Sequence, residues 1–278
     1  MLPGVESGEI GAVHRTRIAS RRLRELLPVL QLEGASARKL NKRLRKVTRR
    51  LGHVRELDAL IEIIDDLQGA EAVPERALKR VRDEVRQSRD HARVRLAHKA
   101  VATELRRAAR KLESVLAELE KSDLGRSRAQ SWRWAIDARV THRAAALKSA
   151  IFEAGAMYLP ERIHIVRLAT KKMRYAVELL AEASGTKDST ELRTLKRTQD
   201  LLGRLRDLQV LIDRVRRIQA ALNPPDVGAW RDLDALLTPL EHRCRRVHAR
   251  FVRDRVTLVA FCDRLGARTA SAAARRAG

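Results

Sequence analysis

An all-α fold, built as two antiparallel helical bundles related by an internal repeat, is predicted by three features of this sequence. The composition is dominated by Ala, Leu, Arg and Glu, with 13 Gly, 7 Pro and 3% aromatic residues in 278, which is typical of helical proteins. Apolar residues recur at the spacing of amphipathic helices. A segment at residues 13–24 occurs again at residues 163–174, and such a repeat indicates two related halves.

The first four helices are predicted at residues 10–31, 37–68, 74–97 and 100–121. Gly34 ends the first helix and Ser36 caps the second, Gly69 closes the second, and Pro74 suits the first turn of the third. Pro28 lies inside the first helical pattern, so this helix is expected to kink or end early. The boundary between the third and fourth helices is weak, and one continuous helix is the alternative.

The remaining helices are predicted at residues 128–155, 160–184, 189–221 and 227–264. Residues 122–125 are interpreted as a loop, Pro160 begins the next helix, Gly185 ends it, and residues 223–226 (Asn-Pro-Pro-Asp) form a break. Residues 266–278 have no apolar face, so we expect a disordered basic tail. The chain is therefore divided into an N-terminal half (1–150), a C-terminal half (151–265) and this tail.

Both copies of the repeated segment place a histidine and three basic residues on one helix face, at spacings of 3, 4 and 3 residues. These residues are His14, Arg17, Arg21 and Arg24 in the first copy and His164, Arg167, Lys171 and Arg174 in the second. A solvated surface is the alternative interpretation, but such a surface usually mixes in Glu for helical ion pairs. The nearly uniform positive charge and its duplication favour a functional face.

The opposite face of each copy is apolar and is expected to pack in the core. Its residues are Leu23, Leu26, Leu27 and Leu30 in the first copy and Met173, Ala176, Val177 and Leu180 in the second. The repeat continues into the next helix of each half, where Gly52 and Gly203 lie inside a helical pattern at an offset of 151 residues. Because an interior Gly costs about 1 kcal/mol relative to Ala, we expect these two to permit close helix contact. Arg55 and Arg206 each stand beside an acidic residue, which favours structural ion pairs over a ligand site.

The net charge of +24 and the sequence pI near 11.3 predict a polyanionic partner. Few aromatic residues argue against single-stranded nucleic acid, whose bases usually stack on aromatic side chains. Duplex nucleic acid, an anionic membrane and a phosphate polymer without bases remain. The sequence has no apolar run of about 18 residues, no signal-peptide pattern at Met1, and only two cysteines, Cys244 and Cys262, outside any metal or redox motif. We therefore expect no membrane partner and a cytoplasmic location.

The duplicated pattern His-x-x-Arg-x-Ala-[Ser/Thr]-[Arg/Lys]-[Arg/Lys]-[Leu/Met]-Arg, followed in each half by Leu-Gly-x-[Val/Leu]-Arg-[Glu/Asp], resembles the CHAD family, named for a conserved histidine α-helical domain. The resemblance covers about residues 8 to 265. It implies a pseudo-two-fold pair of bundles whose basic helices line a cavity or pore that binds inorganic polyphosphate. It also implies that the protein associates with polyphosphate granules. The implied anion-binding residues are His14, Arg17, Arg21, Arg22, Arg24, Arg45 and Arg49, and His164, Arg167, Lys171, Lys172, Arg174, Lys196 and Arg197. The pattern departs at Asp200, which is acidic where the first half has Arg49.

Three alternatives remain beside non-catalytic polyphosphate binding. A metal site is disfavoured because His14 and His164 stand among Arg and Lys, where a dication would be repelled. Catalysis is disfavoured because phosphoryl chemistry needs clustered carboxylates for Mg²⁺ or a glycine-rich phosphate loop, and neither pattern occurs; we expect no enzyme activity, no metal and no cofactor. Duplex nucleic acid, or polyanions in general, is the stronger alternative because basic helices can lie on phosphates without aromatic residues.

Overall fold

The computed structural model describes residues 2–7, 9–29, 34–69, 73–97, 100–121, 126–186, 190–222 and 226–277, which form nine helices and no strand. The helices are α1 (Leu2–Glu6), α2 (Ile10–Leu26), α3 (Gly34–Asp65), α4 (Glu75–Ala97), α5 (Ala100–Lys121), α6 (Arg126–Ala154), α7 (Pro160–Ala183), α8 (Thr190–Ala220) and α9 (Val227–Ala277). The predicted all-α class is confirmed. The repeat of two bundles stays a prediction.

The helix boundaries follow local residue chemistry. Helix α2 ends at Leu26, two residues before Pro28, as the missing amide of proline leads one to expect. Helix α7 begins at Pro160 and is followed by Gly185 at φ +67°, the left-handed conformation that commonly ends a helix. Gly69, after α3, adopts φ +78°. Helix α1 was not predicted, since five residues carry too little periodicity to register.

The expected disordered tail is wrong as far as the backbone is concerned. Helix α9 continues through residues 266–277 and ends at Ala277. Ala and Arg are among the strongest helix formers, and extending an existing helix needs no new nucleus. An apolar face is therefore not required for these residues to remain helical.

Helix packing joins the two halves along one continuous core. Helix α6 packs against α7 and α9, and α8 packs against the same two helices. Helix α3 contacts α2, α4 and α5, while α2 meets α7 and α3 meets α8 across the halves. The largest core cluster includes Val47 and Leu51 of α3, Met173 of α7 and Leu202 of α8. Residues 150 and 151, where the halves were divided, lie inside α6.

The predicted core stripe is confirmed for α7 and only in part for the first copy of the repeat. Met173, Ala176 and Val177 are buried, and Leu180 is half-buried. On α2 the buried side chains are instead mostly small or polar: Ala12, Val13, Thr16, Ser20 and Glu25. Leu27 is buried in a smaller cluster, Leu23 and Leu26 are half-buried, and Leu30 lies outside the described residues. The buried face of α2 is thus built mainly from small and polar side chains.

The remaining findings concern the two cysteines and the hydropathy of the helices. Cys244 and Cys262 are both buried and both free. Across the ranges given above, no helix combines the length and the hydropathy that crossing a membrane requires.

Candidate anion-binding site

The repeated segments lie on α2 and α7, and these two helices pack against each other. Each is backed by the following helix of its own half, because α2 packs on α3 and α7 on α8, and α3 also contacts α8. The four helices therefore bring the two predicted basic faces to one place in the fold.

Four basic side chains form what we call the central cluster: Arg17 and Arg21 from α2, and Arg167 and Lys171 from α7. Burial, together with the charges of Arg21, Arg55 and Arg167, lowers the pKa of Arg17 to about 10. Burial and the charges of Arg21, Arg167 and Arg17 together lower the pKa of Lys171 to about 6. These mutual effects cross from one helix to the other, so the cluster is a single concentration of positive charge.

Several donors of this region have no acceptor among the described residues. The Nε of Arg167 and the Nδ1 of His164 are buried without a hydrogen-bond partner. Arg21 and Lys171 form no hydrogen bond or ion pair within the part of the chain that the structure describes. A buried donor left unpaired costs about 1–3 kcal/mol, so a negatively charged acceptor would stabilise this arrangement.

Arg17 differs from the rest of the central cluster because it has a structural partner. Its Nη1 donates to the backbone oxygens of Leu51 and Gly52 on α3, both at 3.0 Å. The nearest neighbour that a Cβ at Gly52 would meet is the same Nη1, at 3.8 Å, and a Cβ at Gly203 would meet no atom within 4 Å. The prediction that both glycines permit close helix contact is therefore wrong for Gly203. At Gly52 the neighbour is a guanidinium rather than a helix backbone.

Each histidine of the repeat is influenced by the charge of an arginine that was predicted to form an ion pair. Burial lowers the pKa of His14, and the nearby charge of Arg55 is the next cause. Burial likewise lowers the pKa of His164, followed by the charge of Arg206. Both histidines are therefore favoured in the neutral form, each beside a guanidinium from the next helix.

The prediction that Arg55 and Arg206 form structural ion pairs is confirmed for Arg55, although with a different acid, and is wrong for Arg206. Arg55 pairs with Glu62, at 3.1 Å between Nη1 and Oε1, rather than with a neighbouring acid. Arg206 has no ion pair to a residue that the structure describes, and its charge acts on His164 and Arg167. The signal that could have identified both was their recurrence at the same 151-residue offset as the two glycines.

Two carboxylates stand beside the central cluster, also at an offset of 151 residues. Burial raises the pKa of Asp207, while Arg167, Arg55 and Lys171 lower it. The charges of Asp207 and Glu56 in turn raise the pKa of Arg167. These acids offset part of the positive charge at the α3–α8 side of the cluster.

Besides Arg17, three residues predicted to bind an anion already have partners within the protein. Arg22 bonds Glu178 at 3.0 Å, and Arg174 pairs with the other oxygen of the same carboxylate. Arg174 also donates from Nε to Gln199 at 2.9 Å, as Arg24 does to Asn41 at the same distance. A helical projection shows which residues share a face, but it cannot show the acid or amide opposite them. These three arginines hold the helices around the cluster together.

The other predicted residues are exposed on the outer faces of α3, α7 and α8. They are exposed to solvent and make no hydrogen bond or ion pair to a described residue: Arg45, Arg49, Lys172, Lys196 and Arg197. We call these five the outer cations. They extend the positive surface beyond the central cluster without adding buried, preorganised donors.

A second set of buried charges fixes the position of α2. Glu25 is 8% exposed and accepts hydrogen bonds from Arg139 and Arg143 of α6, the shortest at 2.7 and 2.9 Å. Buried ion pairs with several hydrogen bonds resist separation, because breaking one leaves an uncompensated buried charge. This clamp ties the helix that carries Arg17 and Arg21 to the helix that packs on α7.

The space around the site limits where an anion could lie. His164, Arg167 and Arg206 line a crevice between α7 and α8 with a volume of about 10 Å³, which is room for about one water molecule. An anion larger than a water molecule would therefore not fit in this crevice. In the described ranges, no group of three His, Cys, Asp or Glu residues is arranged to hold a metal ion.

Comparison with known proteins supports the resemblance noted from the motif. The family model for the CHAD domain matches residues 2–216, which include α1 to α7 and most of α8. Searches of curated proteins and of solved structures give no match. The matched residues contain both copies of the repeated segment and the glycine that follows each. The chain therefore belongs to the CHAD family.

Proposed function

We propose that the protein binds inorganic polyphosphate, without catalysis, through the central cluster of α2 and α7. The observation that carries the proposal is the set of half-buried guanidiniums and a half-buried amine that lower one another's pKa across two helices. Such an arrangement is unfavourable alone and becomes favourable with a polyanion, because each phosphate supplies negative charge and acceptor oxygens. The family match is consistent with a polyphosphate-related role.

Polyphosphate suits this site better than a nucleic acid for two reasons. It carries about one negative charge per phosphate and has no bases, so it needs closely spaced donors and no stacking surface. The cluster offers forked Arg donors and a compact Lys on rigid helices, and the whole chain is only 3% aromatic. The carboxylates nearby, Glu56 and Asp207, act on guanidiniums, which favours holding a ligand over transforming it. The proposal implies a cytoplasmic protein that meets its ligand at polyphosphate granules.

Duplex nucleic acid is the second candidate, and the outer cations are the observation that favours it. Exposed, unpaired basic residues on α3, α7 and α8 could contact the phosphates of a wide, rigid duplex. A duplex is too wide to reach buried groups, so it would depend on these exposed cations. Polyphosphate would depend on the central cluster.

The test is a competition experiment with fluorescently labelled, size-fractionated polyphosphate at about 150 mM salt, where screening limits weak surface attraction. We expect unlabelled polyphosphate to displace the probe at far lower phosphate concentration than duplex DNA. Chain length after incubation, checked on a gel, should not change. Equal competition by DNA at matched phosphate concentration would refute specificity, and shortening of the chain would refute binding without catalysis.

A further inference from the structure

Lys171 occupies a position in the cluster that does not suit a permanent charge. It lies on α7, is mostly buried, and makes no hydrogen bond or ion pair to a described residue. The charged groups facing it are Arg17 and Arg21 from α2, Arg167 and Arg174 from α7 itself, and Asp207 from α8. Helix α6, which also packs on α7, directs Arg139 and Arg143 towards Glu25 instead.

We propose that Lys171 is uncharged in the empty site and takes up one proton when polyanion binds, so that binding is coupled to proton uptake at this side chain. The inference rests on the proposed function. In the coupled step the lone pair of Nζ accepts a proton from the buffer, the amine becomes an ammonium, and the ammonium then donates to phosphate oxygens. No other bond forms or breaks.

The surroundings of Lys171 explain why this residue, rather than its neighbours, changes its charge. Burial without an acceptor disfavours an ammonium at Lys171. The four guanidiniums that face it also repel an ammonium, and among the facing groups the carboxylate of Asp207 attracts it. Together these effects lower its pKa to about 6, whereas the pKa of buried Arg17 remains about 10. The first half has Arg21 at the corresponding repeat position, and a guanidinium stays charged in proteins. At this repeat position, therefore, the second half carries a side chain that can lose its charge and the first half does not.

Bound polyanion reverses the balance at Lys171. Phosphate oxygens supply the missing acceptors and negative charge, which return its pKa towards the ordinary value of about 10.4. At pH 8 an amine of pKa about 6 is almost fully neutral and one of pKa about 10 almost fully charged, so uptake should be close to one proton. Affinity should then fall about tenfold per pH unit between roughly pH 7 and 9.

The experiment is isothermal titration calorimetry with size-fractionated polyphosphate at pH 8, in buffers that differ in ionisation enthalpy. The slope of observed enthalpy against buffer enthalpy gives the number of protons taken up. At pH 8 the terminal phosphates, with a second pKa near 6, are already ionised. His14 and His164 have lowered pKa values and remain neutral in the empty site. We expect a slope near one for the native protein.

Two matched variants identify the group that takes up the proton. Lys171→Arg gives the second half the residue of the first and should bind with a slope near zero. Asp207→Asn removes the carboxylate of α8 that faces Lys171 and should keep a slope near one. An unchanged slope in Lys171→Arg, or a slope near zero in the native protein while it binds, would overturn the inference. If Lys171→Arg does not fold, as judged by circular dichroism, Lys171→Met serves the same purpose.

A measurement without ligand separates this inference from the proposed function. In protein labelled with ¹³C-lysine, the signal that disappears in Lys171→Met should titrate at least two pH units below the exposed lysines. If it does and polyphosphate does not bind, the proposed function fails while the uncharged lysine stands. If it titrates with the exposed lysines, the inference fails even when polyphosphate binds.

Discussion

Replacing Arg21 and Arg167 with Gln should weaken polyphosphate binding and flatten its dependence on salt. Arg21 projects into the cluster from α2 and Arg167 from α7, and each lowers the pKa of Lys171. Neither makes an ion pair within the described residues. Gln retains much of the side-chain length, so the change removes charge with little change in packing.

The size of the effect follows from the number of contacts removed. For flexible single strands, each phosphate contact contributes about 0.7 to the slope of log K against log salt. If each arginine makes one contact, each single change should flatten the slope by about 0.7 and the double change by about 1.4. A hydrogen bond to a charged group contributes about 1.5–3 kcal/mol, so each single change should also weaken binding by roughly ten- to a hundredfold.

The assay is fluorescence anisotropy with labelled polyphosphate from about 50 to 200 mM salt, a range over which such contacts change affinity strongly. The matched control is Arg250→Gln with Arg253→Gln, two exposed residues of α9 that lose the same charge. Among the described residues α9 contacts neither α2 nor α7, so this pair should change the slope much less. Equal flattening by both pairs would refute the site, because the affinity would then come from diffuse charge.

Three further predictions concern stability, measured by urea unfolding without ligand. Lys171→Met should raise the free energy of unfolding at pH 7 by on the order of 1–4 kcal/mol, since it removes an unpaired buried amine. Folding lowers the pKa of Lys171 to about 6, so above pH 6 the unfolded chain binds more protons than the native protein. The stability of the native protein should therefore rise from about pH 6 to 10, and the variant should lack that rise. Arg17→Gln should cost about 2 kcal/mol through its two lost carbonyl bonds, whereas Arg21→Gln should cost little. Glu25→Gln should cost about 3–5 kcal/mol by leaving two buried guanidiniums unpaired, and a loss below 1 kcal/mol would contradict the clamp.

The helices were largely predictable because their limits depend on local chemistry. Pro28, Pro160 and Gly185 act through backbone geometry that is the same in any fold, and each stands where a helix ends or begins. The tail prediction failed because it relied on the absence of an apolar face. Helix propensity and continuity with α9 are enough to keep those residues helical.

The candidate site was only partly predictable, since a helical projection shows one face and not its partners. The repeat identified Arg17, Arg21, Arg167 and Lys171, which the structure brings together. It could not show that Glu178 pairs with Arg22 and Arg174 from two helices.

For the same reason, the sequence did not reveal the surroundings of Arg55 and Arg206 or the structural role of Arg17. Arg55 and Arg206 were assigned to ion pairs because an acid follows each in sequence, yet tertiary packing places them beside the histidines. The repeat assigned Arg17 to the basic face and gave no sign that it bonds the backbone oxygens of Leu51 and Gly52. Contacts between helices, rather than patterns within them, decide such roles.

A crystal structure of the protein with size-fractionated polyphosphate would test the central claim most directly. The account predicts one phosphate chain that contacts both halves, with phosphate oxygens within hydrogen-bonding distance of Arg21 from α2 and of Arg167 and Lys171 from α7. Phosphates bound only at the outer cations, with the central cluster making no contact to them, would contradict it.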